Sequence, residues 1–289
     1  MSREFGDDRA TEIGRFSSSP FISGDTFRSL ASIIVELDQV IYREHLRTNI
    51  VFCQMDEPSI QKLLTVSSES SRFASWKSGA TLLLHNGDKF PSDEVLMALS
   101  QHFEAIYSVN AHSRSKKISS LPIGLENARL NRNGRLQYFL DELENPTPAG
   151  QRAQIVFSNF HVETNPLVRN HVAQVLADSR HGHHALFLKS GEYRNLIRQT
   201  KFVISPPGNG PDCHRTWESI YLGAVPVVLK DSIDPQFAKN LPLMAVDNYE
   251  EFCELSETEL DDLYVHLTRR NRDLAFAPYW FGRLLPKHF

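Results

Sequence analysis

Cysteine is scarce in this 289-residue chain: Cys53, Cys213 and Cys253 are its three, and they lie far apart. So sparse and odd a set gives neither a disulfide framework nor the paired spacing of a zinc site, and it suits a reducing compartment. Long apolar runs are lacking as well. None approaches the roughly 20 residues of a membrane-spanning helix. The first eight residues carry three acids, Glu4, Asp7 and Asp8, and no apolar stretch, so no signal peptide is expected and the expected location is cytoplasmic. Excess positive charge is missing too. The formal net charge is −4, which argues against a nucleic-acid partner because phosphate backbones attract basic faces, yet leaves room for one local basic pocket. Glycine and proline together make 29 residues with no Gly-X-Y period, which excludes collagen-like and low-complexity chains. What is present, 41% hydrophobic and 23% charged residues, is ordinary globular composition. The length suits two modest domains better than one core.

Apolar runs alternate with helical patterns. Strands are expected at 49–53, 80–84 and 105–109, with Ser92 as the N-cap of a helix through Val95, Leu96, Leu99 and Phe103. Asn145-Pro146-Thr147-Pro148-Ala149-Gly150 is linker chemistry, so a boundary is expected there: one domain over 1–148 and a second, with terminal helices, over 149–289. The second half repeats the alternation, with strands at 154–158, 186–188, 202–204 and 224–229 and helices at 165–176, 193–199 and 214–222. Helices follow from Tyr249 on, ending in the aromatic triplet Tyr279-Trp280-Phe281, expected to pack back on the first half. Strands alternating with helices imply parallel sheets with ligands at the carboxyl ends of the strands, hence an α/β architecture of two Rossmann-like halves and a cleft.

The most informative stretch is Lys201–Val228, a strand, a Gly/Pro-rich loop, a helix, a glycine stop and another strand. Gly208 and Gly210 carry no side chains, so a ligand can approach the loop backbone, and the following helix start offers unpaired N–H groups to an anion. Arg215 stands in the first helical turn and Glu218 three residues on, on the same face. One guanidinium for a diphosphate and one carboxylate for ribose hydroxyls would suit a nucleotide. A plainer alternative is a structural loop with a mutually satisfied Arg215–Glu218 pair, with Trp217, Ile220 and Tyr221 in the core.

The same stretch resembles the C-terminal motif of exostosin-like glycosyltransferases: Pro-x-Gly-Asn-Gly, Asp-Cys-His-Arg, an aromatic residue, Glu, then Gly-x-x-Pro-Val-Val. Pro207 stands where that family often carries Arg. Leu84-His85-Asn86-Gly87-Asp88, Tyr107-Ser108-Val109-Asn110, the segment 121–127 and the loop 20–28 look like small bacterial relatives. The resemblance implies a GT-B fold and transfer from a nucleotide sugar, UDP- or GDP-linked, to a glycan or lipid-linked acceptor in polysaccharide or lipopolysaccharide assembly, with inversion and without a cofactor. On this reading Ser205, Gly208, Asn209, Gly210, Asp212, His214, Arg215 and Glu218 bind the donor.

For the base that takes the acceptor proton, the candidates are Asp88, His85 and Asp25. Each has another reading: Asn86-Gly87-Asp88 is turn chemistry, and Asp25 is placed to cap a helix from Thr26. Glu126 and Asn127 could face the cleft or sit in an ordinary turn. His181-Gly182-His183-His184 is read as a polar loop and no Asp-x-Asp occurs, so no metal site is expected. Lys189 and Arg194 are expected at the surface. A noncatalytic nucleotide-sugar- or glycan-binding protein on the same fold is the competing reading.

Overall fold

The computed structural model describes residues 15–43, 45–69, 79–88, 90–111, 115–130, 134–181 and 188–285. The first half forms a six-stranded sheet from β1 (Ile33–Glu36), β2 (Gln39–Tyr42), β3 (Ile50–Gln54), β4 (Thr81–His85), β5 (Ala105–Val109) and β6 (Ile118–Leu121), ordered β2-β1-β3-β4-β5-β6. Only β2 runs antiparallel, paired to β1 as a hairpin in which Glu36 faces Gln39. Helices α1 (Gly24–Arg28), α2 (Glu57–Glu69) and α3 (Asp93–Ser100) accompany the sheet. Ser92 caps α3, accepting the Val95 N–H, as its position before two acids predicts.

Helix α4 (Gln137–Glu144) leads to the Asn145–Gly150 segment, which is tied down. The Thr147 N–H and hydroxyl both donate to Glu142, at 2.8 Å each. The second sheet is fully parallel, β10-β9-β8-β7, from β7 (Gln154–Ser158), β8 (Thr200–Ile204), β9 (Val225–Leu229) and β10 (Met244–Val246). Its connections hold α5 (Pro166–Asp178), α6 (Ser190–Arg198), α7 (His214–Tyr221) and α8 (Pro235–Asn240). Then α9 (Tyr249–Glu254), α10 (Glu257–Leu267) and α11 (Ala277–Leu284) end the described chain. The continuous apolar runs of β3, β4, β8 and β9 are buried on both faces, as covered parallel strands require.

Two Rossmann-like sheets with a cleft between them and C-terminal helices make the GT-B arrangement that the resemblance implies. One apolar cluster spans both halves. At its centre Phe21 packs on Tyr221 of α7, with ring centroids 4.9 Å apart, while the Tyr221 hydroxyl accepts the Ile22 N–H and donates to the Ala275 carbonyl. Trp280 of α11 packs on Phe27 and on Tyr107 of the first half, so the aromatic triplet does fold back.

The structure departs from the expected elements in three places. Strands β1, β2, β6 and β10 stand outside the expected set. Residues 182–187, holding most of the expected 186–188 strand and the His183-His184 pair, lie outside the described residues. Ser23, not Asp25, caps the helix of the 20–28 loop. That helix begins at Gly24, and Ser23 and Thr26 form a reciprocal capping box. Arg194 is buried and stacks on the Tyr138 ring at 4.5 Å rather than facing solvent.

Candidate functional site: a cleft at the carboxyl end of the second sheet

Strand β8 ends at Ile204 and α7 starts at His214, so the intervening loop stands at the carboxyl edge of the parallel sheet. Its shape is set by Arg169 of α5, which is 5% exposed. Arg169 Nε donates to the Pro207 carbonyl at 2.9 Å, Nη2 to the Pro206 carbonyl at 3.1 Å, and Nη1 to the His161 carbonyl at 2.8 Å and to the Thr164 hydroxyl. The three prolines of the loop, Pro206, Pro207 and Pro211, remove three N–H donors, and one guanidinium holds the carbonyls of the first two. Asn165 adds a bond from Nδ2 to the Gly208 carbonyl.

The loop glycines also have close protein neighbours. A Cβ on Gly208 would lie 2.8 Å from Arg169 Nη2, and one on Gly210 would lie 2.8 Å from Asn110 Nδ2 and 2.9 Å from the Asp88 carbonyl. They admit neighbouring protein groups, and both line the cleft as well. Ser205 is likewise engaged inside: its hydroxyl pairs with that of Thr216 at 2.9 Å and its N–H donates to the Val227 carbonyl.

Arg215 and Glu218 both line a cleft of about 470 Å³, with Gly208, Asn209, Gly210 and His214 on the same wall. They form no ion pair with each other. Arg215 Nε and Nη1 are buried with no hydrogen-bond partner, and so is Glu218 Oε1. Glu218 is 2% exposed and its Oε2 accepts the Tyr193 hydroxyl at 2.8 Å. Burial pushes its carboxyl above the usual range, against the nearby His214, the Tyr193 bond, Arg215 and Arg194. The mutually satisfied Arg–Glu pair of the plainer alternative is therefore absent. In its place are a guanidinium and a carboxylate oxygen with unmet hydrogen-bonding capacity facing one cavity. No side chain caps α7, which leaves the positive end of that helix open beside Arg215.

Asp212 and Asn110 join the halves. The Asp212 carboxylate accepts the Ile123 N–H at 3.0 Å and the Trp217 indole N–H at 2.9 Å, while its own N–H donates to Asn110 Oδ1. Burial raises its pKa to about 6. Asp212 is thus an inter-sheet pin with its acceptor capacity used. His214 Nδ1 lies 2.8 Å from the Gly124 carbonyl, a second tie between the halves.

The three base candidates separate. Asp88 is exposed and lines both the main cleft and a neighbouring pocket of about 250 Å³. His85 lines that neighbouring pocket but is 2% exposed, with both ring nitrogens engaged: Nδ1 accepts the Asn86 N–H at 2.8 Å and Nε2 donates to the Pro122 carbonyl at 3.1 Å. Burial lowers its pKa to about 4. Asp25 does not itself line either pocket: its N–H donates to Asn127 Oδ1 at 2.8 Å and its carboxylate is buried in a charge cluster. It lies 3.4 Å from Arg15, which also pairs with Glu36, and Glu36 in turn binds Arg28 at 2.7 Å. Burial pushes the Asp25 carboxyl up against the pull of Arg15 and Arg28. Glu126 and Asn127 line the neighbouring pocket. Among the described residues, no group of three metal-ligating side chains comes together, and no helix is long and apolar enough to cross a membrane.

Arg169, Tyr193 and Asn110 go beyond the expected site residues. Their contacts with the loop, Glu218, Asp88 and Asp212 span 22 to 102 residues of sequence, and no local spacing signals such a contact. Against this geometry, residues 129–252 match the family model of the Exostosin GT47 domain. That segment is exostosin-like. The exostosin-like segment contains Arg169, Tyr193, the glycine loop, Arg215 and Glu218, whereas Asp25, His85 and Asp88 lie before it. No curated protein matches the sequence. Among solved structures, a protein described as UDP-N-acetylglucosamine 2-epimerase from Listeria monocytogenes is similar at TM-score 0.42 and 13% identity, over 83% of this chain and 76% of that one. Another UDP-N-acetylglucosamine 2-epimerase gives TM-score 0.40 and 12% identity, over 84% and 76%.

Proposed function

We propose that the protein transfers a sugar from a UDP- or GDP-linked donor to a hydroxyl of a glycan or lipid-linked acceptor, in polysaccharide or lipopolysaccharide assembly, by a single inverting displacement. The observation that carries this reading is the pairing of Arg215 and Glu218. They stand one helical turn apart on one wall of the cleft, each with unmet hydrogen-bonding atoms, inside a segment that matches a glycosyltransferase family model. In this reading the donor lies against α7. Its diphosphate meets Arg215 and the uncapped helix start, which hold the negative charge that develops as the sugar leaves. Glu218 Oε1 accepts a ribose hydroxyl, while Tyr193 fixes the other carboxylate oxygen. The loop glycines line the same wall, and Arg169 keeps that loop from collapsing into the site.

With a guanidinium and a helix terminus neutralising the leaving group, turnover is expected to continue in EDTA. Complete loss on chelation, restored by manganese or magnesium, would assign that role to a metal. The decisive experiment combines a thermal-shift screen against UDP, GDP, CMP and dTDP sugars with release of labelled sugar from the donor that binds. Stabilisation together with sugar release supports the transferase reading. Stabilisation without release, with or without added glycan acceptors, makes the protein a nucleotide-sugar-binding module instead.

A further inference from the structure

We propose that His214 is the general base of the transfer, and that the acceptor hydroxyl reaches it from the 250 Å³ pocket beside the donor cleft; this rests on the glycosyl-transfer reading above. His214 opens α7, next to Arg215, and is half-buried. Its Nδ1 lies 2.8 Å from the Gly124 carbonyl. A carbonyl only accepts, so Nδ1 carries the hydrogen, and in the neutral ring the basic lone pair sits on Nε2. That carbonyl is held rigidly. Gly124 has φ +67°, a Cβ there would lie 2.3 Å from the Ile22 carbonyl oxygen, and the next N–H, of Leu125, donates to that same oxygen at 2.7 Å. The imidazole is therefore oriented by a fixed backbone group, as an efficient base requires.

Its position is the second argument. The main cleft and the neighbouring pocket share three lining residues, His214, Asp88 and Ile123. A donor in the first and an acceptor in the second meet at that seam, with Arg215 on the donor side. The second pocket offers amide and carboxylate groups suited to a polyhydroxylated acceptor: Asn86, Glu126 and Asn127, with Arg129 at its rim. Asn86 Oδ1 accepts a bond from Asn127 at 2.9 Å, while its buried Nδ2 has no partner and so keeps donor capacity. His85 cannot compete for the proton, since both its nitrogens are bonded inside. Asp88 then orients the acceptor by accepting a neighbouring hydroxyl. In the step itself the acceptor O–H proton passes to Nε2 and the oxygen bonds to the anomeric carbon. The bond from that carbon to the diphosphate oxygen breaks, and its electron pair leaves with the diphosphate beside Arg215.

Water can stand in for the acceptor, so release of labelled sugar from the donor that turns over is the assay, with UDP and GDP as thermal-shift probes. His214→Asn places an amide where Nδ1 was, keeps the Gly124 bond and removes Nε2; His214→Gln is the second variant. We expect sugar release to fall about 10²–10⁴-fold in both, the range for a lost general base, with the nucleotide shift of the parent retained. Release within tenfold of the parent in either variant overturns the assignment. Loss of both release and nucleotide shift overturns it too, because His214 would then belong to donor binding. A parent that neither shifts nor releases sugar defeats the transferase reading itself, an outcome distinct from the other two.

Discussion

The loops that flank the cleft differ in what they leave open. After β4, His85 turns both ring nitrogens inward, while Asn86 Nδ2 is left without a partner and Asp88 is exposed. His85 bonds to Pro122 and Asn86, and Asp88 uses its carbonyl on Asn110 while its carboxylate faces the seam. After β8, the inward work is done by a residue from another helix, Arg169, and so Arg215 and Glu218 keep unpaired atoms toward the cavity. Polar residues alone do not make a site. What matters is whether another group already satisfies them, and that is decided by tertiary neighbours.

The contrast is broken most directly at Arg215. Arg215→Ala should lower turnover about 10²–10³-fold, the effect of removing one preorganised donor from developing charge. Kinetics on a folded variant decide it. Turnover within roughly threefold of the parent would mean that the unpaired nitrogens face nothing of consequence.

Much of this half was legible in the sequence. The strand, loop and helix of 201–222 follow from an apolar run, three prolines with two glycines, and an amphipathic turn, and the three-residue spacing of Arg215 and Glu218 put them on one wall. Ser92 was legible as a cap because a cap is local chemistry. The short strands were not. Ile118-Ser119-Ser120-Leu121 is half polar, and β1 ends in Glu36, whose burial depends on Arg28 eight residues away. Nor was the fate of Asp25 or Arg169. A lone charged residue in sequence does not reveal which buried partner will claim it, and Asp25 went to Arg15 while Arg169 went to four oxygen atoms of other residues.

A second test bears on the pin between the halves. The pKa of Asp212 is raised to about 6 from 3.8 by burial. Between those values the folded state holds a proton that the unfolded chain has lost, so this group's contribution is fully present below about pH 4 and declines as pH rises through 6. The difference is worth at most ~3 kcal/mol. Urea unfolding of the parent and Asp212→Asn at pH 4 and pH 6.5 isolates it. The parent should lose stability relative to the variant as pH rises, and a constant difference would show that Asp212 titrates normally.

Glu218→Gln sharpens the donor side. The amide keeps one acceptor and loses the charge, so kcat/KM for the donor should fall about tenfold, close to 1.4 kcal/mol. The effect should be larger on donor than on acceptor kinetics. An unchanged donor ratio, or a variant that unfolds, would return Glu218 to a purely structural role beneath Tyr193.

The smallest effect is expected at the glycine loop, and it separates two uses of a missing side chain. If Gly208 exists to let a ligand approach, an added methyl should weaken nucleotide binding and leave stability alone. The geometry says otherwise. The new Cβ would stand 2.8 Å from Arg169 Nη2 and 3.4 Å from its Cζ. The far end of an arginine is normally free to move, but this one is held by the Pro206, Pro207 and His161 carbonyls and the Thr164 hydroxyl. Relief therefore means loosening the loop, at ~1 kcal/mol, the lower end of what overpacking costs. Gly150, where a Cβ would meet nothing within 4 Å, supplies the matched control. Denaturation midpoints should fall for Gly208→Ala and stay level for Gly150→Ala. A Gly208→Ala protein as stable as the parent but with weakened UDP or GDP binding would restore the ligand as the reason for the glycine.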